Sequence, residues 1–272
     1  MYDAKVFFIE GINGSGKSTL AKKLYTDIKA SNPCAKVFRR SERPNPIDIS
    51  RLAMLSADRL EELIIMCSEH LSISCEYVRN VMENFSEQEG NCFVCNWLGM
   101  LDYLGINDGR IRAFCLNFEL CDGKAGLDRY KEVSIKRWQR FSESYADNSY
   151  YLFEGALFQH PLSELFGYYM LSDSQIVKYM NEIATTLQGV DTIITYIRPN
   201  NISDILYAAA KERKYGDAMW INGFLKQVET CPYGRTHSLR GMDGAIEFCR
   251  ERMRVEQILL DSIPIKHVVL ER

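Results

Sequence analysis

The sequence predicts a three-layer α/β fold built on a mostly parallel five-stranded sheet. Short apolar runs alternate with segments of helical period along the chain, the signature of βαβ units. The first of these runs ends in a glycine-rich turn that opens a helix. Between the second and third runs lie about a hundred residues, far more than one crossover needs, which marks a mainly helical insertion at about 44–147.

The first strand is the apolar run 4–9, and the segment from Ser18 onward, with Leu20 and Leu24 at helical spacing, is the first helix. The break Ser31-Asn32-Pro33 precedes a second strand over 35–40, and the crossover between the two is expected to be right-handed. In the insertion, Leu60, Leu63 and Ile64, and later Val133, Trp138 and Phe141, fall on amphipathic helical patterns; residues 110–120 read as a helix or as an extended pair. Residues 150–153 and 192–197 are compact apolar runs of the kind that form buried parallel strands. A helix is expected from about Asn201 to Lys214 and another over 246–260, followed by a last strand at 266–270. No internal repeat or linker interrupts the pattern, so residues 1–272 are expected to form a single domain carrying the insertion.

Composition narrows the classes of function. With 272 residues, 46% hydrophobic and 25% charged, the chain has the make-up of an ordinary globular protein. A formal net charge of −3 gives no long-range attraction to nucleic acid or an anionic bilayer, and a small-molecule partner is expected. No apolar stretch suits a membrane span or a signal peptide, and nine scattered cysteines suit a reducing compartment, so the expected location is the cytoplasm. Cys92 and Cys95 form the one CxxC pair, without two further ligands at zinc spacing; packed thiols are the simpler reading.

The most specific signal is Gly11-Ile12-Asn13-Gly14-Ser15-Gly16-Lys17-Ser18, which matches G-x-x-x-x-G-K-[ST] between a predicted strand and a predicted helix, the context a P-loop requires. Glycines let successive backbone N–H groups turn inward, and the helix N-terminus adds unpaired donors and its positive dipole end. Gly11, Asn13, Gly14, Ser15, Gly16, Lys17, Ser18 and Thr19 are therefore expected to hold the phosphates of ATP, with Lys17 at the β- and γ-phosphates and the Ser18 hydroxyl on Mg²⁺. The chain has no Asn-Lys-x-Asp guanine-specificity run and no LSGGQ-like signature. Phosphoryl transfer to a small acceptor is the leading expectation, and a nucleotide-dependent switch or regulatory ATPase with a protein partner is the alternative.

Further residues cluster at expected strand ends. Glu154 closes the third strand, where ligands gather in open parallel sheets; it positions Mg²⁺ through water or acts as the base on an acceptor hydroxyl, the plain alternative being a carboxylate that caps a neighbouring backbone or pairs with an arginine. Arg39 and Arg40, with Glu42, end the second strand; the strand period turns only one of the two arginines toward a bound acceptor. Lys211, Arg213 and Lys214 end a helix, with Arg213 the strongest candidate for neutralising developing charge, although basic residues also favour helix C-termini for dipole reasons. Arg235 and Arg240 lie in a glycine-punctuated stretch read as mobile. His160 reads as structural before it reads as a proton shuttle, and Asn201-Ile202-Ser203 is a glycosylation sequon without meaning in the cytoplasm.

The run Phe8-Ile9-Glu10-Gly11-Ile12-Asn13-Gly14-Ser15-Gly16-Lys17-Ser18-Thr19 resembles the opening of thymidylate kinases and related nucleoside monophosphate kinases, and Val37-Phe38-Arg39-Arg40 resembles their second strand with its arginine-containing rim. Thr195-Tyr196-Ile197-Arg198-Pro199, followed by a helix ending Ala210-Lys211-Glu212-Arg213, resembles their fourth strand and lid-bearing helix, which implies a lid role for Arg213. Phe153-Glu154-Gly155 stands where thymidylate kinases carry an Asp-Arg pair, and the insertion is much longer than theirs, so the thymidylate substrate is not implied. Residues 151–159 also resemble bacterial P-loop proteins described only as ATPases. The kinase resemblance further implies a helix beyond the last strand, which would fall past Arg272.

Overall fold

The computed structural model of the chain describes residues 5–39, 45–145, 149–215 and 218–272. The chain divides into two compact units, one formed by Met1–Asp48 with Ile135–Arg272 and the other by Ile49–Ser134. The first unit opens with β1 (Val6–Glu10), α1 (Lys17–Ser31) and β2 (Lys36–Phe38). The second contains β3 (Leu52–Ser56), α2 (Ala57–Leu71), α3 (Cys75–Glu83), β4 (Ser86–Glu89), β5 (Cys92–Asn96), α4 (Trp97–Leu104) and α5 (Gly109–Asn117), and α6 (Leu127–Ser144) begins in it. Back in the first unit come β6 (Tyr151–Glu154), α7 (Gln159–Leu162), a π-helical turn (Ser163–Tyr168), α8 (Asp173–Thr186), β7 (Thr192–Arg198) and α9 (Ile202–Glu212). The chain then runs through a short β8 (Lys214–Tyr215) and β9 (Ala218–Met219) pair, α10 (Trp220–Thr230), α11 (Pro232–Thr236) and α12 (Gly241–Ser262) to β10 (Lys266–Glu271).

The central sheet of the first unit has five strands in the order β10-β7-β1-β6-β2, and every pairing is parallel. The strand period of two divides its side chains between two faces. Phe7, Ile9, Leu152 and Ile197 pack with Ala21 and Ile28 of α1 on one face. Phe8 and Phe153 stack on the other, 5.3 Å apart, with Trp138 of α6 5.6 Å from Phe8 and Phe141 edge-on to Phe153 at 5.1 Å. On that second face the Tyr196 hydroxyl of β7 donates to Glu256 of α12. Helices therefore cover both faces of an α/β fold. Phe8, Phe153 and Trp138 are fully buried, each contributing roughly 1.5–3 kcal/mol of transfer free energy. In this order β1 is central, with β6 and β2 on one side and β7 and β10 on the other, so its carboxyl end lies where the strand order reverses, the place at which open α/β sheets bind ligands.

In the second unit, β3, β5 and β4 form an antiparallel sheet, with Leu52–Ser56 pairing to Cys92–Asn96 and the latter to Ser86–Glu89. The insertion expected to be mainly helical thus holds a sheet as well. Its strands are short, and β4, Ser-Glu-Gln-Glu, carries no apolar alternation to announce it. A core of Leu63, Cys67, Val78, Met82, Cys95, Met100, Leu101 and Cys115 joins this sheet to its helices.

One alternative falls away, one expectation is sharpened and one is corrected. Residues 110–120, for which an extended pair was an option, are helical as far as Asn117; the Asp108 carboxylate caps the helix by accepting from the Arg110 and Ile111 N–H groups, and Ile111 and Cys115 face the core four residues apart. The sheet is entirely rather than mostly parallel. The glycine-punctuated stretch 232–244, expected to be mobile, is α11 and the first turn of α12, and Arg240 donates to the Leu239 and Glu229 carbonyls. Among the described residues no helix is long and apolar enough to cross a membrane.

Candidate functional site

The site begins where β1 delivers the chain to residues 11–16. Gly11, Gly14 and Gly16 take φ values of 134°, 88° and 94°, a region that side chains rarely enter. Space reinforces the choice: a Cβ on Gly11 would lie 2.5 Å from the Ile197 carbonyl oxygen, and one on Gly14 2.9 Å from that of Ile205. The loop is pressed against the ends of β7 and α9, and only glycine fits at those contacts.

Gly16 is the N-cap of α1 and makes no side-chain capping bond, and no acidic residue stands in the first turn. The N–H groups and positive dipole end of a fifteen-residue helix are thus left without an anionic side chain from the helix itself. Beside them the Ser15 hydroxyl is buried and has no hydrogen-bond partner. The Arg272 guanidinium lies over Gly16, where a side chain at that position would go. Open N–H donors, an unpaired hydroxyl and a cation converge on one spot, the arrangement that accepts a phosphate-sized anion.

Lys17 is buried, and its ammonium donates to the Gly11 and Ile12 carbonyls, each at 2.7 Å. Burial, and then the nearby Arg252 guanidinium, lower its pKa to about 7. Glu10, also buried, accepts from the Leu157 and Gln159 N–H groups at 2.8 and 3.2 Å; burial raises its pKa to about 7 against the pull of those bonds and of Lys17. Arg252 of α12 donates to the same Gly11 carbonyl at 3.3 Å and lies 3.2 Å from Glu256, which holds the Tyr196 hydroxyl at 2.7 Å. Two cations and two carboxylates, all nearly inaccessible to water, therefore sit under the loop. Each is tolerable only because the others are there.

At the mouth, the exposed Ser18 hydroxyl donates to Glu154 Oε1 at 2.5 Å, bringing together two residues singled out from the sequence. Gln159 donates to the Asn13 side chain at 2.6 Å, which ties the loop to the segment following β6. Thr19 is exposed in the first turn of α1. The register of β2 on β6, Phe38 beside Phe153, brings half-buried Arg39 alongside Glu154 at the carboxyl edge of the sheet. Arg40 and Glu42 lie outside the described residues.

No family model, curated protein or solved structure matches the chain. Its chemistry has to be read from its own geometry.

Of the remaining expected residues, Arg213 lies at the C-cap of α9, four residues past the Ala209 that packs on Gly14, and its guanidinium stacks over the Trp220 ring at 5.5 Å. Lys211 and Lys214 are exposed on the same segment, Arg235 is exposed on α11, and His160 is buried in α7. Cys92 and Cys95 are three residues apart on one strand and so face opposite sides; Cys95 packs on the Met82 sulfur at 3.5 Å, and burial raises its pKa to about 12.

Sequence reasoning passed over Glu10, Arg252, Glu256 and Tyr196. One signal was present: Phe248, Cys249, Arg252, Val255, Glu256 and Leu259 form a single helical stripe, so two opposite charges four residues apart occupy its apolar face.

The donor set at the mouth also suits a hard divalent cation. The Ser18 hydroxyl and the Glu154 carboxylate are oxygen ligands of the kind Mg²⁺ takes from protein, leaving its other positions to water and phosphate. Among the described residues there is no group of three or more His, Cys, Asp or Glu that could hold a metal unaided.

Proposed function

We propose that this chain is an ATP-dependent phosphotransferase, a P-loop kinase acting on a small-molecule acceptor, with nucleotides and nucleosides the first candidates. The observation that carries the reading is the glycine loop itself: three residues at positive φ, held against Ile197 and Ile205, end at an uncapped helix N-terminus beside an unpaired Ser15 hydroxyl. ATP fits that cradle through its phosphates.

Within this reading each residue has a task. The backbone N–H groups of residues 16–18 hold phosphate oxygens while the Ser15 N–H stays on the Ile12 carbonyl, and Lys17 leaves the Gly11 and Ile12 carbonyls to pair with the terminal phosphates. Ser18 and Glu154 hold Mg²⁺, which when bound supplies charge neutralisation at the phosphate oxygens. Glu154 lies at the carboxyl edge of the sheet, with Arg39 next in register, as an acceptor-facing pair of opposite charge. Arg213, on the helix that abuts Gly14, is the candidate for reaching the transferring group after leaving Trp220. Nine free cysteines go with a reducing, cytoplasmic setting.

The test is ATP consumption with Mg²⁺, alone and with a panel of nucleosides, nucleotides, sugars and aminoglycosides, using Lys17→Met as control. Turnover stimulated by one compound and lost in the variant is the expected result, and it names the acceptor class. Absence of any ATP binding would sink the proposal; tight binding without stimulated turnover would favour the nucleotide-switch alternative.

A further inference from the structure

The Gly11 carbonyl is held twice. Lys17 Nζ donates to it at 2.7 Å from inside the loop, and Arg252 Nη2 donates to it at 3.3 Å from α12, a residue 241 positions away. The two donors differ in what can move them. Lys17 is an ammonium on a flexible stem that begins in the first turn of α1, within reach of an anion at the helix N-terminus. Arg252 is 1% exposed and packed beside the fully buried Glu256, which is in turn held by Tyr196 of the strand next to β1. The 3.2 Å approach of Arg252 Nε to Glu256 Oε1 is not aligned as a hydrogen bond, so the pair is held by charge while Nη2 points at the loop.

We propose that Arg252 is the positioning residue of the phosphate loop, keeping the Gly11 carbonyl engaged, and the loop in its binding shape, when Lys17 leaves that carbonyl for a phosphate oxygen. This deepens the phosphate-binding reading and rests on it. Without Arg252 the departure of Lys17 strips Gly11 of both side-chain donors at once, at a residue whose φ of 134° has to be imposed by its surroundings. With Arg252 in place, one donor remains. Arg252 also repels Lys17, favouring the exchange; its repulsion is larger than the attraction of Glu10 on β1, Glu256 on α12 or Glu154 on β6 taken singly.

The experiment is Mg-ATP titration of the full chain, with urea denaturation in the absence of nucleotide, comparing wild type with Arg252→Lys and with the charge-balanced double variant Arg252→Met, Glu256→Gln. The double variant leaves no lone buried carboxylate on α12 and is first checked for a native melting transition. Its ATP affinity is expected to fall about tenfold, the worth of one buried charge-assisted bond. The unliganded double variant is expected to keep wild-type stability, because Lys17 still holds the Gly11 carbonyl there; a merely structural role would lower stability and affinity together. Arg252→Lys keeps the charge but loses the planar fork that meets Glu256 and Gly11 together, so about threefold weaker binding with unchanged unliganded stability is expected. Wild-type affinity in Arg252→Lys, a folded double variant with wild-type affinity, or a loss of affinity matched by a loss of unliganded stability overturns the proposal. Failure of wild type to bind ATP overturns the phosphate-loop reading itself, and the two failures are told apart in the same series.

Discussion

Replacing Lys17 by methionine is expected to stabilise the unliganded protein while removing its response to nucleotide. The ammonium is buried, and its pKa falls from 10.5 to about 7. That is roughly a 3,000-fold loss of proton affinity, so holding the charge in place costs about 5 kcal/mol. Methionine is similar in length and apolar, and it removes this cost. What it forfeits is smaller. The Gly11 carbonyl keeps Arg252 and the Ile12 carbonyl keeps the Ser15 N–H, so neither acceptor is stranded, and two lost bonds amount to about 2–3 kcal/mol. At pH 6 Glu10 is protonated for the most part, since its pKa is about 7, and the variant leaves it no unpaired charge. A net gain of about 2 kcal/mol at pH 6 follows.

The sign with pH is fixed by the direction of the shift. A lysine whose pKa is depressed on folding carries its full penalty below the folded value, about 7, and the penalty fades as pH rises toward the unfolded value of 10.5. At pH 9 it has dropped to about 2 kcal/mol, so the advantage of Lys17→Met is expected to vanish there. Urea denaturation of both proteins at pH 6 and pH 9, with and without Mg-ATP, measures all of this. A variant less stable than wild type at pH 6, or an advantage undiminished at pH 9, would refute the account of Lys17 as a strained, releasable cation.

Gly11→Ala must accommodate a 2.5 Å approach to the Ile197 carbonyl at a φ of 134°; a loss of about 2–4 kcal/mol in urea denaturation is expected, whereas Gly90→Ala, at a φ of 61° with nothing within 4 Å, is expected to cost about 1 kcal/mol. In the second unit, Leu101→Ala empties a fully buried position among Leu63, Trp97 and Met100, and a loss of about 2–5 kcal/mol is expected in the same assay.

The elements around the loop were legible because their causes are local. An apolar run of a few residues, glycines at fixed offsets and a lysine at the head of a helical pattern constrain the backbone over a dozen neighbouring positions, and the observed β1, loop and α1 follow that reading closely. Glu154 was found for a related reason: strand ends of a parallel sheet share one edge, so a carboxylate closing an apolar run falls near the loop, and Ser18 meets it. The sheet of β3, β5 and β4 stayed hidden because β4 is polar throughout and is a strand only by virtue of its pairing with β5.

The sequence by itself determined the α/β alternation, the glycine loop and the residue types at its mouth, since period and backbone freedom are properties of short segments. Tertiary structure alone decided which charges lie beneath that loop. Arg252 and Glu256 read as an ordinary helical ion pair until α12 is laid on the sheet, where burial makes each depend on Glu10, Lys17 and Tyr196. Arg213 shows the converse, a charge the sequence pointed toward the site and packing set over Trp220. Electrostatic partners are chosen by proximity after folding, and proximity across 241 residues is not written in any local pattern.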